Sequence, residues 1–111
     1  MNETRTELGH ISNATYGVGG YDDAEFGLSL TFEGKGWGVG TFSGGWSGSP
    51  TSGAKWDETE QDEWFAKTAR LVIATLKDAK KNDVSKLVGA PVEVTFEGMI
   101  LKSWRVLTEV L

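Results

Sequence analysis

Between Glu25 and Glu33 apolar and non-apolar residues alternate strictly, with Phe26, Leu28, Leu30 and Phe32 interleaved with Gly27, Ser29, Thr31 and Glu33. A period of two puts four apolar side chains on one face, so this segment predicts a half-buried β-strand. Upstream, Glu7 to Tyr16 reads as a first strand, and the turn formers of Gly17 to Asp23 reverse the chain. Downstream, Gly34 to Gly36 predicts a turn into a third strand, Trp37 to Phe42. On that strand Gly36, Gly38 and Gly40 share one face, and Trp37, Val39 and Thr41 the other.

The period then changes. Ser43 to Lys55 is a Gly/Ser/Pro loop whose one large side chain is Trp46. Asp57 followed by Glu60 has the spacing of an N-cap and its capping-box partner, and the acidic stretch Asp57 to Glu63 suits the positive end of a helix dipole. Phe65, Ala69, Val72, Ile73 and Leu76 then form one apolar stripe at helical spacing. Lys77, Lys80 and Lys81 favour the carbonyl end, so the helix is expected to stop near Asn82. Asp83 to Ala90 reads as a connector with a single helical turn. After Pro91, Val92, Val94 and Phe96 alternate with Glu93, Thr95 and Glu97, and Glu97-Gly98 turns into a last strand carrying Ile100, Trp104, Val106 and Val110. The order predicts a single α+β domain over residues 1–111: an antiparallel sheet of about five strands (βββ-α-ββ) with one long helix packed on one face.

Composition narrows the function. At 111 residues, with 39% hydrophobic and 24% charged residues, the chain is long enough for one core and unlike a disordered one. It has no cysteine, which excludes disulfides, thiolate metal sites and thiol nucleophiles and suits a reducing compartment. Met1 to Gly9 carries charges and no apolar run, so neither a secretory signal nor an anchor is expected there; a cytoplasmic location and no membrane partner follow. A net charge of −5 disfavours direct nucleic-acid binding, because phosphates reward basic surfaces.

Catalytic sets fail on residue content. His10 is the single histidine, with no thiol and no Gly-x-Ser-x-Gly elbow to serve. Gly34-Lys35 lacks the rest of a phosphate loop, and Asp22, Asp23 and Glu25 lack the spacing of a calcium loop. The expectation is a protein that is not an enzyme and holds no metal or cofactor. The third strand suggests how it binds. Glycine weakens a strand by about 0.5–1 kcal/mol relative to alanine, so three on one side require something close by. Either a bulky neighbour such as Trp64 or Phe65 lies flat on the bare backbone, or a flat ligand or partner docks there. Of five tryptophans, Trp37, Trp46 and Trp56 lie in or beside the Gly/Ser loop, and rigid aromatics next to adaptable small residues are typical of recognition surfaces. The same rings could equally fill a thin core. Tyr21, Lys35, Gly36, Trp37, Gly38, Gly40, Trp46 and Trp56 are therefore the candidate ligand-binding residues, with Lys35, Lys55 or Arg70 available to a phosphate.

The words Gly-Gly-Tyr-Asp-Asp-Ala (19–24), Gly-Trp-Gly-Val-Gly (36–40) and the segments 91–98 and 101–109 resemble small accessory proteins of tailed bacteriophages and prophages. That resemblance implies a context of countering host defence in the host cytoplasm. There the protein would sequester a nucleotide-derived immune signal, as a homo-oligomer with sites built between subunits. The alternative is direct inhibition of a host defence protein through the acidic helix start or the sheet edge.

Overall fold

A computed structural model of the chain describes residues 3–49 and 54–111. The alternating segments become five strands, β1 (Thr4–Gly19), β2 (Glu25–Gly34), β3 (Trp37–Trp46), β4 (Pro91–Glu97) and β5 (Ile100–Val106), with one helix, α1 (Glu58–Ala79), between β3 and β4. Every pairing is antiparallel and the spatial order is β3-β2-β1-β4-β5. The α+β class and the βββ-α-ββ order therefore hold.

β1 is central because it is long enough to be used twice. Its first part pairs with β4 from Thr4↔Glu97 to His10↔Pro91, and its second part pairs with β2 from Gly9↔Gly34 to Gly19↔Glu25. The strand thus overruns both ends of the segment Glu7 to Tyr16, and the reversal waits until Gly20, whose φ of 74° opens the short 3-10 turn Tyr21–Asp23. A bulge between Ile11 and Asn13 shifts the alternation, so Ile11 and Ala14 face the same side.

The core lies between α1 and one face of the sheet, where Ile11, Leu28, Leu30, Phe32, Val92 and Val94 are buried. The opposite sheet face has no covering layer among the described residues, as antiparallel sheets allow. Asp57 caps α1 by accepting from the Glu60 backbone N–H at 2.9 Å, and Lys80 in the left-handed region (φ 58°) ends it. The stripe read from sequence is corrected by part of a turn. Ile73 is 52% exposed, while Gln61, Thr68, Val72, Thr75 and Ala79 are buried. The rotation has a polar cause: β3 offers Thr41, Ser43 and Gly45 to the helix, and Thr68 sits 3.4 Å from the Ser43 hydroxyl. The connector forms one 3-10 turn, Val84–Leu87, that buries Leu87 beside β1. No helix among the described residues is long and apolar enough to cross a membrane.

Glycines fall into two groups by what a Cβ would meet. On the uncovered face, Gly27 and Gly44 stand opposite each other. A Cβ on Gly27 would collide with the Ser43 carbonyl and approach Gly44 Cα to 2.8 Å, and one on Gly44 would collide with the Phe26 carbonyl. Gly38 and Gly40, on the same face, meet nothing closer than 3.7 Å. Substituting alanine at Gly38 or Gly40 should leave the fold intact and raise its stability by about 0.5–1 kcal/mol. Alanine at Gly27 or Gly44 should instead cost about 1–3 kcal/mol through backbone displacement. Urea unfolding of the four variants compares them directly.

An ion-pair cluster spans the far edge of the sheet, where Arg105 donates to Glu93 at 3.1 Å and to Glu109 at 2.8 Å. Hydrogen bonding from Arg105 holds the Glu109 carboxyl down at about 2 from its ordinary 4.5. A depressed folded pKa adds stability that is complete above the unfolded value and lost as pH falls toward the folded one. Glu109→Gln should therefore lower the unfolding midpoint near neutrality slightly and leave it less sensitive to acid between pH 4.5 and about 2.

Candidate binding cleft at the free end of β3

β3 is an edge strand, and its last residues were expected to be loop. Ser43, Gly44, Gly45 and Trp46 instead pair with Leu28, Gly27, Phe26 and Glu25. What makes this extension possible is the Gly27/Gly44 contact, since side chains there would force the two backbones apart. One residue further, Gly45 faces the helix, and the Trp64 indole lies directly on it; a Cβ would collide with the ring. The flat helix aromatic foreseen for Gly36, Gly38 and Gly40 thus exists, but it covers Gly45 and leaves those three open.

Two hydrogen-bond sets fix this end. Gln61 on α1 donates through Nε2 to the carbonyls of Trp46 and Gly48, both at 2.7 Å, tying the start of the helix to the end of the strand. Ser47 donates through its backbone to Ala24 and through its hydroxyl to Asp23, at 2.8 and 2.7 Å, tying the same point to the β1–β2 turn.

Between these ties lies a cleft of about 220 Å³ lined by Glu25, Phe42, Gly44, Gly45, Trp46 and Trp64. Phe42 and Trp46 stand on the uncovered face, 46% and 44% exposed, with only the Gly44 backbone between them. Trp64 forms the wall on the helix side and itself leans on Trp56, ring centres 5.6 Å apart. Glu25 stands next to Trp46 as its cross-strand partner. A second, more enclosed groove of about 360 Å³ runs along β1 and β2, shares Glu25 and Phe42 with the first, and is floored by Gly17, Gly19 and Gly27.

The candidate residues are not all brought together. Trp46 lines the cleft, Trp56 supports its wall, and Tyr21, 89% exposed, sits on the neighbouring turn. Lys35, Gly36, Trp37, Gly38 and Gly40 belong to the opposite half of β3 and its hairpin, with Trp37 and Trp46 separated by the strand length, about 30 Å. Trp37 also faces the other way. Its indole covers Gly34 and Gly9, meets Phe96 edge-on at 5.4 Å, and buries a ring N–H without a partner among the described residues. It is half-buried and packs against the core. Arg70 lies on the outer side of α1 with Glu63 and Lys67, away from the cleft. Residues 50–53, in the segment expected to form the Gly/Ser/Pro loop, lie outside the described residues.

Glu25, Phe42, Gly44, Gly45 and Trp64 were missed. For Phe42 and Gly44 the signal was present as alternation: on β3 they continue with Trp46 the face begun by Gly38 and Gly40.

The cleft is acidic. Glu25 lines both hollows, Asp22 and Asp23 occupy the adjoining turn, and Asp57, Glu58 and Glu60 begin the helix that Gln61 ties to Trp46. No lysine or arginine among the described residues lines either hollow. No group of three His, Asp or Glu side chains among the described residues could hold a metal ion. Comparison with protein-family models, with curated proteins and with solved structures gives no significant match.

The two tryptophans on β3 should separate in a stability measurement. Trp37→Ala removes a ring packed against the core and should cost about 3–5 kcal/mol. Trp46→Ala should cost under about 1 kcal/mol, as expected for a half-exposed side chain at a strand end. Chemical denaturation followed by circular dichroism reads both.

Proposed function

We propose that this chain is an anti-defence protein of the tailed-phage type that acts in the host cytoplasm by stoichiometric binding, without catalysis, and that its target is a host defence protein. The observation that supports this target is the charge of the cleft: three aromatic rings are accompanied by the Glu25 carboxylate and, among the described residues, by no cation. A nucleotide-derived signal brings phosphates, and bringing them beside Glu25 would be repulsive. A protein surface bearing basic residues gains from the same field, both in encounter rate and in register.

Sequestration of a nucleotide-derived signal is the second reading, and the glycine-floored groove beside Phe42 favours it. Bare main chain lets a flat base approach closely, and a ring stacked on Phe42 or Trp46 contributes about 1–3 kcal/mol. The phosphates would then need cations from a second copy, in keeping with a homo-oligomer. The edge of β3 offers a route to one, because its ten residues carry neither charge nor proline, the features that usually blunt an exposed edge.

Reversal of Glu58, Glu60 and Glu63 to lysine should abolish inhibition of the purified defence complex while the protein still folds, with a lowered melting temperature because each cation at the positive end of α1 costs about 0.3–1 kcal/mol. Isothermal titration against cyclic dinucleotides and cyclic ADP-ribose isomers should give no heat. Strong heat there, together with full activity of the charge-reversed variant, transfers the function to the second reading. Light scattering should report a dimer that Gly40→Lys converts to monomer.

A further inference from the structure

We propose that the cleft at Trp46 is a receptor for a single arginine side chain of the partner protein, with Glu25 as its counter-charge. The inference deepens the protein-binding reading and rests on it for the source of the arginine, but the chemistry of the cleft can be tested alone.

Three features of the site converge on a planar cation. First, the walls are π-faces: Phe42 and Trp46 flank Gly44 on one side of the strand, and Trp64 closes the cleft around the strand's free edge. The negative faces of aromatic rings attract cations, tryptophan most strongly. Second, a carboxylate is built in. Glu25 and Trp46 are cross-strand partners, so their Cβ atoms lie about 5 Å apart on the same face. In the unbound protein its carboxyl rests beside Gly20 of the β1–β2 turn, where a Cβ would stand 3.1 Å from Glu25 Cδ, and it turns toward a cation in the cleft by side-chain rotation. No salt bridge among the described residues engages Glu25. Third, the strand edge supplies acceptors. The Trp46 carbonyl points away from β2, since it accepts from Gln61, and strand alternation turns the Gly44 carbonyl the same way.

A guanidinium answers both the rings and the acid. Its plane lies against a ring and its fork meets the carboxylate in two parallel N–H···O bonds, while the edge carbonyls add to the negative field of the cleft. A lysine ammonium has the charge but neither plane nor fork. The volume of about 220 Å³ admits one such side chain and is too small for a dinucleotide. The flanking acids Asp22, Asp23, Asp57 and Glu58 add attraction without touching the bound group.

The test uses the intact protein and N-acetyl-arginine amide as probe, with the citrulline analogue as its neutral isostere, followed by the indole N–H resonances in ¹H–¹⁵N NMR. The arginine probe should shift the Trp46 and Trp64 resonances saturably and leave that of Trp37 unmoved, and the citrulline probe should shift none of them. Glu25→Gln should weaken the arginine probe roughly tenfold, the equivalent of one charge-assisted hydrogen bond of about 1.4 kcal/mol. Trp46→Ala should abolish the Trp64 shift while the circular dichroism spectrum and melting temperature stay near those of the parent. Equal shifts from arginine and citrulline, or undiminished binding by Glu25→Gln, would overturn the proposal, as would no shift at all. Arginine binding by a protein that inhibits no defence complex supports the receptor and removes the wider reading. Inhibition that survives Glu25→Gln and Trp46→Ala together does the reverse.

Discussion

The contact between the backbones of Gly27 and Gly44 sets the shape of the functional end of this protein. With no Cβ on either residue, β2 and β3 press together where side chains would hold them apart, and the carbonyls of Phe26 and Ser43 occupy the space that Cβ atoms would need. β3 then continues to Trp46 and delivers Gly45 beneath the Trp64 ring. The start of α1 follows, because among the described residues the Trp46 and Gly48 carbonyls are the acceptors of the buried Gln61 amide. An unsatisfied buried amide would cost about 1–3 kcal/mol, so strand end and helix start are held together. The cleft exists in the angle they make.

The same arrangement leaves one sheet face free of large side chains over much of β1 to β3. Burial on the helix side supplies the core, so the outer face is available for other uses. Phe42 is informative here: it stands on the outer face, 46% exposed, with its ring tip against Gly27, where it adds nothing to the main cluster. Scattered apolar residues on a surface need no explanation, but two aromatics flanking a glycine beside a carboxylate form a contiguous, polar-rimmed patch.

The architecture was legible because local and global preferences agree. β2 alternates cleanly and its apolar set is the buried one; Asp57 and Glu60 mark the helix start to the residue; Glu97-Gly98 marks the last hairpin. The helix face was less legible, since Thr68 is buried against Ser43 of β3 and Thr75 beside β5, whereas Ile73 follows the apolar rule and lies outside. The candidate site was half legible. Trp46 was singled out for its isolation among small residues, and it does line the cleft. Trp37 was grouped with it by proximity in sequence, but odd and even positions of a strand face opposite ways, and a ten-residue strand carries its ends far apart. Glycine ambiguity hid the rest. Gly36, Gly38 and Gly40 and then Gly44 and Gly45 look alike in sequence, although only the second group is forced by close packing.

That difference bears on how the site could evolve and be probed. Gly38 and Gly40 accept a Cβ without a clash, so the hairpin half of β3 can change composition at little cost to the fold. Gly27, Gly44 and Gly45 cannot, because each is filled by backbone or by Trp64. The cleft therefore couples recognition to folding: its floor is one of the contacts that allows β3 to reach Trp46 at all. Its walls behave otherwise, since Phe42, Trp46 and Glu25 lie over that floor on the open face of the sheet, outside the core cluster, and can be exchanged without disturbing the backbone contact. Specificity resides in the walls, and the glycines keep them at a fixed spacing.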